Sequence, residues 1–495
     1  MLSSRSRHAT RQQWLYDEIR NAILDGRLAA RARLPATRDL AQQYGLARGT
    51  VTAAYLQLVA EGYVSSTVGR GTFVSTHIPD AMLQAGVKSA TSEFSPGRRT
   101  GQLSARGRDL ARTIFAMLPP AKIGCAFRAA QPDLAAFPLE LWTRIAARRS
   151  RISHRSMLAD GDPRGYRPLR DAIAAHLARA RGISCSADHV QIVGSVQQAL
   201  DLCARLLLDA GDQVWVENPG YPAAGQVLKA AGARLVSVSV DGDGIDVAEG
   251  VTAAPRARLA YVTPSRQAPL GVLLSLARRM QLLEWAATSK AWIFEDDYDG
   301  EYRFTGRPHA ALKSLDGHGC VIYAGTFSKV MFPGLRLAYV VVPDQLLDAF
   351  AAAMSLTARH APIMTQAVLA DFIAEGHFGR HIRRMRTHYG ERAESLQTAA
   401  REYWSGVLEL STIDAGLDVA ARFLGAGDDT EIARRAAEHE IETRALSSWA
   451  AGRRISARSK GLILGFATIH PAAIRAGARS LARIFEGLPL AGPVQ

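Results

Sequence analysis

The sequence predicts an α/β protein: an N-terminal winged helix-turn-helix joined by a long linker to a large domain with a mostly parallel sheet and a small C-terminal α+β subdomain. Three features carry that expectation. Residues 12–75 hold three helical segments, each ended by a glycine, and then two short strands around a Gly-Arg-Gly tip. Residues 76–120 mix Ser, Thr, Gly, Pro and Arg without sustained periodicity. Over 121–490, almost wholly apolar runs alternate with helical segments, as in a sheet covered on both faces.

In chain order, QWLYDEIRNAILDG has helical spacing and stops at Gly26. LPATRDLAQQYG stops at Gly45, LARGTVTAAYLQLVAEG stops at Gly62, and YVSSTVGRGTFV reads as a hairpin. The segment 76–120 is long for a packed connection and reads as a linker. QVWVE, RLVSVSV, LAYVT, AWIFED, GCVIYAG and LAYVVVP are the strands of the large domain. TQAVLADFIAEG and HIRRMRTHYGERAESLQTAAREYW are helices, and the C-terminal subdomain starts at about residue 380.

The 495 residues exceed one ordinary core, which also calls for more than one domain. Lys+Arg 60 against Asp+Glu 46 leaves a net charge of +14, suited to a phosphate polyanion. The first eighty residues are basic through arginine alone, whereas the basic stretch at 81–120 reads as solvated linker. Cys125, Cys185, Cys203 and Cys320 are scattered without a CxxC pair, which argues against a zinc site or disulfide framework and suits a reducing cytoplasm. No apolar run reaches the roughly 18–20 residues that span a bilayer, and MLSSRSRHATRQQW lacks the apolar core of a signal peptide. His309, His318, His377 and His381 form no metal-binding motif.

In a helix-turn-helix the start of the second helix of the motif meets base edges. Here that start carries Arg48, Gly49, Thr50 and Thr52, and Arg38 on the preceding helix is placed for phosphate or a groove edge. Arginine can read guanine with two hydrogen bonds, and threonine suits phosphate or thymine. Arg70 and Gly71 at the wing tip suit the minor groove, since glycine lets the backbone come close. LPATRDLAQQYGLARGTVTAAYLQLVAEGYVSSTVGRGTFV closely resembles the DNA-binding domain of the GntR family of bacterial regulators. The resemblance implies that Arg38, Arg48, Thr50, Thr52, Arg70 and Gly71 face operator DNA, while Leu40, Leu46, Val51, Tyr55, Leu58 and Tyr63 form core.

The large domain turns on Lys329, in GTFSKVMFPGLRLAY. Its residues alone leave three uses open: a surface charge, a phosphate contact or a covalent anchor. A phosphorylated pyridine aldehyde would need an amine, an anion beside its ring nitrogen, an aromatic face and phosphate donors. AWIFEDDYDGEYRF ends a strand in carboxylates, at the sheet edge where ligands bind, so Asp296 could pair with the ring nitrogen and Tyr298 with the ring 3-oxygen. IVGSVQQALDLCARLLL offers the amides of Ser195, Val196 and Gln197 at a helix start. Ser328 and Arg336 suit phosphate, and Tyr221 in VENPGYPAAG offers a ring to stack.

These segments, with GDPRGYRPLRDAIAAHL, TPSRQAPLG and FIAEGHFGRHIRRMRTHY, make residues 121 to about 480 similar to the fold-type I, pyridoxal 5'-phosphate-dependent aminotransferases. With the winged helix and linker, nearly the whole chain resembles the MocR/GabR-type regulators. That resemblance implies an internal aldimine on Lys329, Asp296 on the pyridine nitrogen, Tyr298 on the 3-oxygen and Tyr221 stacked on the ring. It assigns the phosphate to Ser195, Val196, Gln197, Ser328 and Arg336. It further implies a cytoplasmic head-to-tail homodimer that binds operator DNA and senses a small amine or amino acid through aldimine exchange at Lys329. An active aminotransferase and a regulator sensing pyridoxal phosphate itself are the alternatives.

The chain also departs from that pattern. Asp160 stands where a tyrosine often precedes GDP, and an anion near a phosphate repels it unless it turns away. PSRQAP places Arg266 and Ala268 where PSHQFP is usual, offering room or a new cation near the cofactor. Ala130 replaces a usual glycine. The two arginines that grip a carboxylate in GABA-sensing members have no clear counterpart. Ala223 and the apolar GLILGFA stand there instead, with Arg444, Arg454 and Arg458 as candidate substitutes.

Overall fold

The computed structural model describes residues 10–67, 70–76, 103–112, 125–152, 155–306, 309–425, 427–451 and 460–486. The chain divides into two compact units at residue 102.

In the first unit, helices α1 (Arg11–Leu24), α2 (Thr37–Tyr44) and α3 (Arg48–Ala60) precede a hairpin of β1 (Val64–Thr67) and β2 (Gly71–Val74). Gly45 closes α2 in the left-handed region at φ 61°, where a side chain would be strained. Val64 pairs with Val74 and Thr67 with Gly71. Leu15, Ile19, Leu40, Val51, Tyr55, Leu58 and Tyr63 form the core, with Leu46 packed at its edge. The stretch before α2 adds a third rung to the hairpin, which spacing did not reveal. Arg31 N donates to Val74 O at 2.9 Å and Leu34 N to Thr72 O at 2.8 Å.

The second unit is built on an eight-stranded sheet. Its strands are β3 (Val190–Val193), β4 (Gln213–Asn218), β5 (Arg234–Asp241), β6 (Gly244–Ile245), β7 (Leu259–Val262), β8 (Trp292–Asp297), β9 (Val321–Thr326) and β10 (Ala338–Val341). The spatial order is β3-β10-β9-β8-β7-β4-β5-β6. The centre from β5 to β9 is parallel, while β6 pairs antiparallel with β5, and β10 with both β9 and β3. All four residues of β7 and all four of β10 are buried, as the apolar runs required.

Two topological facts place the site. β8 and β9 are parallel neighbours, so Asp296 near the end of β8 and Lys329 in the turn of helix Phe327–Val330 after β9 reach the same edge. β10 runs the other way, so its beginning, with Arg336 just before it, lies at the edge where β3 ends and Ser195 opens helix Val196–Leu207.

Part of the stretch read as linker is ordered structure. Ala105–Arg112 is a helix of the second unit, and Arg106 Nε donates to Ala230 O at 2.7 Å, which ties it to helix Pro222–Ala230. Beyond helix Ile363–Ala374, the 27-residue helix His377–Tyr403 leads into an antiparallel sheet of β11 (Leu408–Leu410), β12 (Asp418–Phe423), β13 (Arg444–Ala445) and β14 (Gly461–Gly465), ordered β11-β12-β14-β13. Helix Pro471–Glu486 packs along the long helix, and Trp404 Nε1 donates to Ala478 O at 2.9 Å. Among the described residues no helix is long and apolar enough to cross a membrane.

Candidate cofactor cavity and nucleic-acid interface

All nine residues expected around the cofactor, Ser195, Val196, Gln197, Tyr221, Asp296, Tyr298, Ser328, Lys329 and Arg336, line one cavity of about 230 Å³. Lys329 Nζ donates to Ala130 O at 2.5 Å. Burial lowers the lysine's pKa, which favours the neutral, nucleophilic amine, while Asp418, Asp299 and Asp296 oppose the shift and Arg444 adds to it. Asp296 Oδ2 accepts the hydroxyl of Tyr261 at 2.6 Å. Asp296 Oδ1 is buried and has no hydrogen-bond partner among the described residues. Burial pushes this carboxyl up to about 7; the Tyr261 bond opposes the rise and Asp297 adds to it.

At the other wall, the Ser195 side chain caps its helix by accepting from Gln198 N at 3.1 Å, and Gln197 Nε2 donates to the Tyr221 hydroxyl at 3.2 Å. Ser328 N is held by Thr326 Oγ1 at 3.1 Å. The donor set fits pyridoxal phosphate. There is a primary amine, an orphaned buried carboxylate oxygen for a ring N–H, a tyrosine face, and a helix start with a hydroxyl and an arginine for the phosphate.

Several lining residues gave no motif. Tyr261 on β7 and Thr263 just after it reach the cavity from the strand beside β8. Thr263 Oγ1 donates to buried Glu217 at 2.6 Å and accepts Ala268 N at 3.0 Å. Asp418, Trp449 and Ile463 come from the C-terminal subdomain. Alternating patterns mark a strand's faces but not its neighbours, so these long-range contributions had no local signal.

The departures also find their places. Asp160 is exposed and pairs with Arg359 at 3.2 Å. Arg266 is not a loose cation, because buried Asp299 and Asp418 hold it. Ala268 lines the cavity and Ala223 is buried core. Ala130 takes the left-handed region at φ 59°, which explains why glycine suits that position. Arg444 lies directly opposite cavity-lining Ile463, so both side chains share one face of the sheet. The Arg444 side chain makes no hydrogen bond or ion pair among the described residues, and burial lowers its pKa against the pull of Tyr221 and Asp418. Arg454 and Arg458 lie outside the described residues. Among the described residues no group of side chains could hold a metal ion.

In the first unit Arg38, Arg48, Thr52 and Arg70 are exposed, Thr50 and Gly71 partly so. Arg48 and Thr50 sit in the first turn of α3, and Thr52 Oγ1 donates to Arg48 O at 2.9 Å. Gly71 has φ 107°, and a Cβ there would lie 3.0 Å from Arg33 Nε, so both backbone and space favour glycine at the wing.

Fold and cavity define a winged-helix transcription regulator that carries a pyridoxal-phosphate-dependent, aminotransferase-like domain. Residues 11–74 match the family described as bacterial regulatory proteins, gntR family, and residues 133–413 match aminotransferase class I and II. The chain is 40% identical to the probable rhizopine catabolism regulatory protein MocR of Rhizobium meliloti, over 97% of this chain and 94% of that one. It is 35% identical to the transcriptional regulator TauR of Rhodobacter capsulatus, covering 79% and 80%. Among solved structures, the α-aminoadipate aminotransferase LysN of Thermus thermophilus is 28% identical with a TM-score of 0.67, covering 78% of this chain and 95% of that one. The chain belongs to the GntR family of transcription regulators, among its MocR-type members with an aminotransferase-like domain.

Proposed function

We propose that this regulator senses a small amine or amino acid at Lys329 and converts its arrival into a change in operator affinity. The observation that carries the reading is the pairing, in one cavity, of a buried amine with an orphaned carboxylate oxygen, Lys329 Nζ and Asp296 Oδ1. When bound, pyridoxal phosphate supplies an aldehyde to which an amine adds. In this reading Asp296 holds the ring nitrogen's proton, Tyr298 donates to the ring oxygen, and Tyr221 covers the ring. Ser195, Val196, Gln197, Ser328 and Arg336 hold the phosphate. An effector amine would compete with Lys329 for that aldehyde, and the Ala130 carbonyl would hold the lysine Nζ when it is free. Operator affinity shifts only by as much as the effector discriminates between two conformations. Sensing is favoured over turnover because neither place expected to grip a substrate carboxylate holds an arginine; Ala223 stands at one and the apolar GLILGFA at the other. The protein acts in the cytoplasm as a head-to-tail homodimer.

Absorbance spectroscopy with added amines tests this reading. One spectral shift with altered operator binding supports a sensor, whereas sustained product formation with amine and keto acid would make the protein an aminotransferase. Among the described residues the Arg444 side chain has no ion-pair partner and lies on the cavity side of the small sheet, so a carboxylated effector would be held there. Arg444→Ala is expected to weaken an amino acid effector roughly 10- to 100-fold while leaving its decarboxylated amine unaffected. Equal losses for both ligands in a spectral titration would remove Arg444 from that role. On the DNA side, Arg48→Ala is expected to cost about 1–3 kcal/mol of operator affinity with the cofactor absorbance unchanged. Unaltered affinity by fluorescence anisotropy would exclude Arg48 from base reading.

A further inference from the structure

Arg266 is 6% exposed and sits outside the set of groups assigned to the cofactor. Its Nη1 donates to the Tyr298 hydroxyl at 2.9 Å and to Asp299 Oδ2 at 3.0 Å. Its Nη2 donates to Asp418 Oδ1 at 3.2 Å and to the Asp418 carbonyl. The same Asp418 accepts the amide of Ala130 through Oδ2 at 2.9 Å, and the carbonyl of Ala130 accepts Lys329 Nζ. A continuous line of hydrogen bonds therefore runs from the lysine, through Ala130 and Asp418 of the small sheet, to Arg266 and Tyr298. Space for the guanidinium depends on Gly416: at φ 90°, a Cβ there would lie 2.5 Å from Arg266 Nε.

The chemistry follows from counting hydrogens. A phenol has one, and the Tyr298 oxygen already accepts from Arg266. The O–H must point elsewhere. Tyr298 lines the cavity, and no described residue accepts its hydrogen. A hydroxyl whose oxygen accepts a bond from a cation is a stronger donor than a free one.

We propose that Arg266 is a positioning residue: it fixes and polarises Tyr298 so that the phenol donates into the cavity, to the ring oxygen of the bound cofactor. The inference rests on the cofactor reading above. A hydrogen bond to the anionic ring oxygen favours the deprotonated chromophore and lowers the pH at which its absorbance changes.

The test is a pH titration of the visible absorbance of the full-length, cofactor-loaded protein. Arg266→Met is expected to raise the midpoint by about one pH unit, a tenfold change in the proton equilibrium. Tyr298→Phe should raise it as well, and Arg266→Met should add nothing in that background, because both act through one phenol. Arg266→Lys, which keeps the charge but loses the fork, should fall between wild type and Arg266→Met. No shift in Arg266→Met, or a shift that persists undiminished beside Tyr298→Phe, would overturn the proposal and leave Arg266 a neutraliser of Asp299 and Asp418. If Arg266→Met does not fold, Arg266→Lys with and without Tyr298→Phe decides by the same criterion. A wild type without any cofactor band would instead strike down the cofactor reading, and this inference with it.

Discussion

Lys329→Ala is expected to abolish the near-visible absorbance of the cofactor-loaded protein and, with it, the response of operator binding to an amine. The side chain lines the cavity, and burial keeps its amine's pKa below the ordinary 10.5. Among the described residues no other lysine lines the cavity to take its place. Operator affinity without effector should stay within about threefold of wild type, because α3 and the wing belong to a separate compact unit. The substitution should not weaken the unliganded fold. A lysine whose folded pKa is depressed is held against the unfolded chain's preference for the ammonium, so stability rises with pH between the lowered value and 10.5. Alanine removes that dependence. An absorbance band that survives in purified, cofactor-replete Lys329→Ala would sink the anchor assignment.

Asp296→Asn should have the second-largest effect, with opposite consequences for binding and stability. If, as proposed, this carboxylate faces the ring nitrogen, removing it should weaken cofactor binding by about 3 kcal/mol or more, roughly a hundredfold, as loss of one partner of a buried pair does. The unliganded protein should respond in the other direction. Burial raises Asp296 from its ordinary 3.8 to about 7, so between those values the folded state keeps a proton that the unfolded chain has released. Stability therefore falls as pH rises through that window and is lowest above about pH 7. The full span corresponds to about 4 kcal/mol as an upper bound, because Asn must also satisfy an amide NH₂ beside Tyr261. Thermal unfolding of the cofactor-free proteins at about pH 4 and about pH 8 checks this. The stability of Asp296→Asn relative to wild type should be greater at the higher pH. A difference independent of pH would mean that Asp296 is already ionised at little cost in the unliganded cavity.

These two residues also show how far the chain can be read without coordinates. The order GSVQQ, ENPGY, EDDYD and GTFSK was legible, because each motif sits at a strand end and strand ends are marked locally by apolar runs meeting polar turns. The winged helix was legible for the same reason: Gly26, Gly45 and Gly62 punctuate its helices, and each takes a positive φ, from 61° to 81°. The helix Ala105–Arg112 was not legible. It contains four polar or charged residues around two arginine-rich turns, and its place depends on the carbonyl of Ala230, 124 residues away. Tyr261 was missed because nothing in LAYV says which strand lies beside it. Its bond to Asp296 exists only because β7 and β8 are parallel neighbours.

Arg266 marks the boundary between the two kinds of information. Its sequence context showed a departure and suggested a cation near the cofactor. The fold placed that cation between Asp299 and Asp418, the latter 152 residues further along the chain, and turned it toward Tyr298 instead. By itself the sequence determined the two classes of domain and the strand ends that carry the candidate site groups, because helix, strand and turn signals are local; the reading of Lys329 as an anchor came from the family resemblance. Only the tertiary structure decided, among the described residues, which carboxylate oxygen is left without a partner, which arginine is neutralised and which, at 444, is not. Those outcomes depend on burial and on contacts across strands, and neither is written in any short stretch of residues.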